Sequence, residues 1–418
     1  MLIPTHSLRQ EAFTIHNSPF IICTPPTKTL GIYAQVPFCA SKCTFCNFSS
    51  QVAPQRVFHA YCSAVESEIE RLPALYCSAG IDAELLRLPV DTIYFGGGTP
   101  SLLGAERLGG IARAIARRFG LASELEFTLE LTPGSADDAL LDSLRSLGVN
   151  RLSVGAQSFS DRELAAVGRL HSAADTVEQV LRARRAGYFN IGLDLIAGLP
   201  HQTEASWLET LKQVASLSPE HISVYLFEVD EKSRLGNEVL RHGDRYHADI
   251  VPDDDFMADA YETAREFLRT AGYEQYEISN FARAGFESRH NRKYWRLQPY
   301  IGLGAGAHSS DGLRRWSNEI APETYQARLA QGESPIAESR SLSSQEQIEE
   351  FFFLGLRQCQ GVDLEWARTR WGAARLAPWA HRISALQDDG LLERRDQRLR
   401  LPEQAYLVSN EVFEQFLI

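Results

Sequence analysis

Three of the seven cysteines in this 418-residue chain crowd into one short stretch, Cys39-Ala40-Ser41-Lys42-Cys43-Thr44-Phe45-Cys46. Thiolates bind soft metals, and a C-x3-C-x2-C spacing lets one loop wrap a single metal centre. Zinc is one reading. It needs a fourth ligand to close the site, and the nearest candidates are His59 and Cys62. Both fall where Phe58, Tyr61, Cys62, Val65, Ile69 and Leu72 follow helical spacing, which makes Cys62 a core residue. A four-iron, four-sulfur cluster fits better, because three thiolates hold three irons and leave the fourth open to an exchangeable ligand.

A second stretch, Gly96-Gly97-Gly98-Thr99, lacks the lysine of a phosphate loop and the spacing of a dinucleotide loop. Glycines there let a ligand approach the backbone closely, or simply make a tight turn. Farther on, Glu130, Gln157 and Asp194 are polar residues on otherwise apolar runs, and His290 sits among Arg289, Arg292, Lys293, Tyr294 and Trp295. An imidazole beside aromatic rings and cations suits haem, with the cations toward the propionates, but also suits a hydrogen-bonded surface histidine. No C-x-x-C-H attachment motif is present.

Positioning these residues requires strands. Short β-branched or apolar runs over residues 31–36, 91–95, 125–131, 151–156, 190–196 and 221–227 alternate with helical patterns, the signature of parallel βα units. Six such units predict an α/β fold, an incomplete parallel (β/α)6-type barrel. Its C-terminal face would gather the cysteine loop, the glycines, Glu130, Gln157 and Asp194. Residues 273–281 read as a further strand, and Asp253-Asp254-Asp255 as a helix cap in preference to a divalent-cation site. The expected organisation is an irregular arm over 1–28, the barrel over 29–240, an extension over 241–340 that includes His290, and a smaller α+β module over 341–418. Helix, charged hairpin and helix make that last module winged-helix-like, read as a packing cap in preference to a nucleic-acid reader.

The cysteine spacing and Phe45 resemble the radical S-adenosylmethionine (SAM) superfamily, in which SAM chelates the open iron and is cleaved to a deoxyadenosyl radical. The resemblance implies SAM contacts at Tyr33, Phe45, Gly97, Gly98, Thr99, Glu130, Gln157, Arg169 and Asp194, with the cluster on Cys39, Cys43 and Cys46. Arg151 to Phe159, Gly168-Arg169-Leu170-His171, Asp194 to Pro200, Tyr276 to Phe281 and Gly302 to Ser309 further resemble the oxygen-independent coproporphyrinogen III oxidase family. Oxidases of that family carry one more cysteine two places after the third, where this chain has Phe48. The haem-chaperone branch lacks it and carries His-Asn-x-x-Tyr-Trp, here His290 to Trp295, which implies haem at His290. A haem chaperone with haem-accepting partner proteins and an electron donor is therefore the first expectation, and an oxidative decarboxylase the alternative. Gln35 and Asn47 depart from the family's usual histidine and aspartate beside the cluster loop.

Composition is ordinary for a globular protein, at 44% hydrophobic and 23% charged residues, and the net charge of −12 argues against a general nucleic-acid surface. No signal-peptide pattern or membrane-length apolar run occurs. Four isolated cysteines suit a reducing compartment, so a cytoplasmic protein is expected.

Overall fold

The computed structural model describes residues 28–418, so the arm expected over 1–28 lies, but for Lys28, outside the described residues. All six expected strands form: β1 (Leu30–Val36), β2 (Val90–Gly97), β3 (Leu121–Leu131), β4 (Arg151–Gln157), β5 (Ile191–Ala197) and β6 (His221–Leu226). They pair in parallel and in sequence order. Helices α1 (Phe58–Ala79), α2 (Gly104–Arg118), α3 (Asp138–Ser146), α4 (Ala173–Arg185) and α5 (Glu204–Leu217) connect them. Strand alternation divides the side chains. Ile32, Ala34 and Val36 join Phe58, Tyr61, Val65 and Ile69 in the core outside the barrel, while the intervening residues face its interior.

Burial overrides local signals in several places. Helix α1 continues through Pro73 to Ala79, where Leu75 and Tyr76 are buried. Helix α6 (Asp254–Thr270) starts at Asp253, whose carboxylate accepts the Phe256 N–H at 2.9 Å, and Asp254 and Asp255 occupy its first turn. The single strand expected over 273–281 is instead an antiparallel pair, β7 (Glu274–Gln275) and β8 (Asn280–Ala282). Buried Glu277 turns the chain between them by accepting the Ser279 N–H and the Asn280 amide.

After the short helix α7 (Arg289–Trp295) comes β9 (Tyr300–Leu303), a seventh parallel strand on the free edge of β1 that the sequence reading missed. Its four residues run into Gly304 and Gly306, too short and glycine-rich a stretch to signal a strand. Strands β10 (His308–Ser310), β11 (Arg314–Asn318) and β12 (Ile336–Ser341) then continue antiparallel, completing a 12-stranded sheet. One sheet thus runs across both the 29–240 and 241–340 stretches.

The last part packs helices α8 (Ser344–Gly355), α9 (Ala373–Asp388) and α10 (Ser409–Glu414) against a small sheet of β13 (Val362–Asp363), β14 (Glu393–Arg395) and β15 (Arg398–Arg400). Phe352 stacks on Phe416 at 4.5 Å, and the Trp379 indole donates to the Phe416 carbonyl at 2.9 Å.

Candidate cluster and cofactor site

A cavity of about 950 Å³ opens at the C-terminal ends of the strands and runs down the barrel interior. Cys39, Cys43 and Cys46 line its mouth as free, partly exposed thiols. Cys62 does not join them. It lies in the α1 core at 2% exposure, where burial pushes its thiol up to about 12, so it offers no fourth ligand. Among the described residues, no three His, Cys, Asp or Glu side chains close around a point that would hold a single ion.

The end of β2 is pressed against the cysteine loop. The Gly98 and Thr99 N–H groups donate to the Val36 and Phe38 carbonyls, each at 2.7 Å. A Cβ at Gly98 would run into the Phe38 backbone and one at Gly97 into the Gln35 amide, so the two glycines are needed for that approach. Gln35 thereby has a structural place, accepting the Tyr33 hydroxyl at 2.8 Å. Asn47 ties the loop to Asp230 at 2.7 Å.

Glu130 projects from β3 into the cavity, accepting from the Tyr94 hydroxyl at 2.9 Å and the Gly97 N–H at 3.0 Å. Burial pushes its carboxyl up to about 7. Asp194, also raised by burial, accepts from Ser223 at 2.7 Å and Ser153 at 3.1 Å. Gln157 ends β4 with a φ of 67°, a left-handed conformation uncommon for a non-glycine residue and typical of strained positions at sites. Arg169 donates to the Gly155 carbonyl at 2.7 Å and to the Cys43 sulfur at 3.4 Å, placing a fixed positive charge beside the loop. Phe45 lines the cavity and packs on a small cluster that includes Val167, Leu199 and Phe227.

Two of the expected residues lie elsewhere. Tyr33 stacks on Tyr94 at 5.9 Å and does not line the cavity. His290 sits at the opposite, N-terminal end of the barrel on α7. It is 1% exposed, with Nδ1 2.8 Å from the Thr92 hydroxyl and Nε2 2.8 Å from the Tyr294 hydroxyl. Burial drives its pKa down to about 3, so it is neutral at physiological pH. Helix α7 is tied there by Glu126, which accepts the Arg289 and His290 N–H groups, and by the Lys293–Asp91 pair at 2.7 Å. Together these residues make a floor beneath the strands.

The sequence reading missed Arg151 and His221, which line the deep part of the cavity. The available signal was period-2 spacing: Arg151 is in phase with Ser153, Gly155 and Gln157, and His221 with Ser223 and Tyr225.

Residues 34–214 match the Radical SAM superfamily, and residues 342–408 match the HemN C-terminal domain. Heme chaperone HemW of Bacillus subtilis (strain 168) is 34% identical over 386 residues, covering 92% of this chain and 98% of that protein. The chain belongs to the HemW family. Heme chaperone HemW of Lactococcus lactis subsp. lactis is likewise 34% identical, over 94% of this chain and 98% of its own. Among solved structures, coproporphyrinogen III oxidase (HemN) from Escherichia coli shares the fold, with a TM-score of 0.80 over 94% of this chain and 90% of that one, at 23% identity. Membership of the radical SAM superfamily implies a four-iron, four-sulfur cluster and SAM. Three free thiols at a cavity mouth, a guanidinium beside them and carboxylates below fit that pair in this HemW-family chain. Among the described residues, no helix is long and apolar enough to cross a membrane.

Proposed function

We propose that the protein is a haem chaperone that carries a SAM-liganded four-iron, four-sulfur cluster and passes haem to acceptor proteins. Cys39, Cys43 and Cys46 hold the cluster. Gly97, Gly98, Thr99, Glu130, Gln157, Arg169 and Asp194 surround SAM, with Phe45 packing nearby and Tyr33 one layer back, behind Tyr94. A bound cluster would supply an electron, taken from a donor protein, to SAM. The observation that carries the chaperone reading over the oxidase is Phe48, which stands where oxidases of the family have a further cysteine. It lies at the cavity rim 63% exposed, with Leu170 also exposed there. An apolar rim suits a flat, largely apolar macrocycle better than another metal ligand.

The His-Asn-x-x-Tyr-Trp motif assigns the haem iron to His290, at the opposite end of the barrel from this rim, so the two are alternative seats for the macrocycle within the same reading. Ligation requires that His290 give up its bond to Tyr294 or Thr92, so the test pairs wild type with His290→Ala. Haem titrated into both, followed by the Soret band, should bind wild type more tightly. Wild type given SAM and a reductant anaerobically should not decarboxylate coproporphyrinogen III. Sustained SAM-dependent decarboxylation would overturn the chaperone reading in favour of the oxidase.

A further inference from the structure

Barrel interiors of this kind are ordinarily filled by apolar side chains, yet here the inward faces of β4, β5 and β6 are polar. Arg151 is the deepest inward residue of β4. It is 1% exposed, and among the described residues its guanidinium makes no hydrogen bond or ion pair, with Nε buried and unpartnered. A buried guanidinium without a partner carries a large desolvation cost.

A second unpartnered donor stands beside it. His221 is also 1% exposed, and its Nε2 lies 2.8 Å from the Tyr276 hydroxyl. That hydroxyl accepts the Ser288 N–H at 3.3 Å. Donating its own proton to His221 Nε2 therefore satisfies it and leaves the histidine proton on Nδ1. Nδ1 is buried without a partner. Burial and the charge of Arg151 both hold His221 well below its usual pKa, so it carries that single proton. Thr128, opposite Arg151 in the β3–β4 register, has an unpartnered hydroxyl as well.

Arg151 and His221 border one small space. A Cβ built on Gly192 would lie 3.3 Å from His221 Nδ1 and 3.5 Å from Arg151 Nη2, so glycine leaves open the gap they flank. The nearby acids feel the Arg151 charge through space but make their hydrogen bonds elsewhere: Asp194 with Ser153 and Ser223, Glu130 with Tyr94 and Gly97. The gap thus presents a cation and an N–H with no acceptor, which excludes a metal ion and suits an anion. The planar fork of arginine matches a carboxylate.

We propose that Arg151 and His221 form a carboxylate-binding site in the barrel interior, and that it takes a propionate of a porphyrin. The carboxylate class follows from these residues alone, whereas the porphyrin rests on the chaperone reading. The test uses cluster-reconstituted wild type and Arg151→Gln, titrated with a metal-free dipropionate porphyrin and with its dimethyl ester by fluorescence. Arg151→Gln should weaken the diacid about tenfold or more, the size of a lost charge-assisted bond, and leave the diester unchanged. Equal binding of the diacid by both proteins, or equal losses for diacid and diester, would overturn the proposal. If wild type binds neither porphyrin, the haem reading fails, and wild-type crystals soaked in 3-bromopropionate decide the carboxylate site. The same soak decides it if Arg151→Gln does not fold. Anomalous bromine density beside Arg151 supports the site, and its absence there rejects it.

Discussion

At the mouth of the barrel, Cys39, Cys43 and Cys46 face an open cavity with free, partly exposed thiols. At its floor, His290 is buried with both ring nitrogens bonded, on a helix whose first N–H groups are also taken by Glu126. Both stretches stand out in the sequence for the same reason, an unusual cluster of ligand-type side chains. Their bonding differs: the mouth thiols stay free, with the Arg169 guanidinium 3.4 Å from Cys43, whereas the floor residues find their partners within the chain. Availability for chemistry is therefore read from unsatisfied groups and not from residue type.

The sharpest way to break that contrast is a pair of variants. Replacing Cys39, Cys43 and Cys46 together with alanine should abolish the absorption and EPR signal of the reconstituted cluster, with little change in the stability of the apo-protein. His290→Ala should do the reverse. It leaves a cavity and strips partners from the buried Thr92 and Tyr294 hydroxyls, a loss of about 2–4 kcal/mol in denaturant unfolding, while the cluster signal survives. A His290→Ala protein as stable as wild type would mean that the floor does not depend on this residue.

A smaller effect distinguishes the two ends by pH. Glu130 lies between them, and burial pushes its carboxyl up to about 7. A carboxyl raised on folding binds its proton more tightly in the native state. Its stabilising contribution is complete below the unfolded value and is lost as pH rises through about 7. SAM acts in the opposite sense, because ribose hydroxyls donate best to the ionised carboxylate. SAM affinity, read from the change in the reduced cluster's EPR spectrum, should therefore rise between about pH 6 and pH 8, by at most about tenfold per unit. Glu130→Gln should flatten that rise. It should only reduce the loss of stability with pH in the apo-protein, because Glu68, pushed up to about 7 by burial, contributes the same slope from outside the barrel. An affinity profile unchanged in Glu130→Gln would remove Glu130 from the SAM site.

These contrasts also explain what could be read from the sequence. The cysteine loop and six strands were legible because their signals are local: fixed spacing for the loop and apolar runs of ordinary length for the strands. The floor was not, since His290 is satisfied by Thr92 and α7 is held by Glu126 and Asp91, all remote in sequence. Strand β9 was hidden by its length and its glycines. Arg151 was visible as part of a family pattern, but that it points into the barrel without a partner follows only from the closure of the sheet around it.

The least of the expected effects concerns the mouth itself, where Asn47 directly follows Cys46. Its amide donates to Asp230 at 2.7 Å, and the segment beginning there straps the cluster loop, with the Leu235 N–H donating to the Thr44 carbonyl at 2.8 Å. Asn47→Asp exchanges a donor–acceptor contact for two facing carboxylates. Asn47 is exposed and Asp230 partly so, so solvent and salt screen much of the repulsion, and the backbone bond at Thr44 still holds the strap. The expected result is modest: loss of the cluster to a chelator at most severalfold faster at low ionic strength, with the difference shrinking as salt is added. Asp230→Asn combined with Asn47→Asp restores a donor opposite an acceptor and should return the rate to that of wild type. If the double variant is no slower than Asn47→Asp alone, residue 47 acts on the cluster directly and not through the strap.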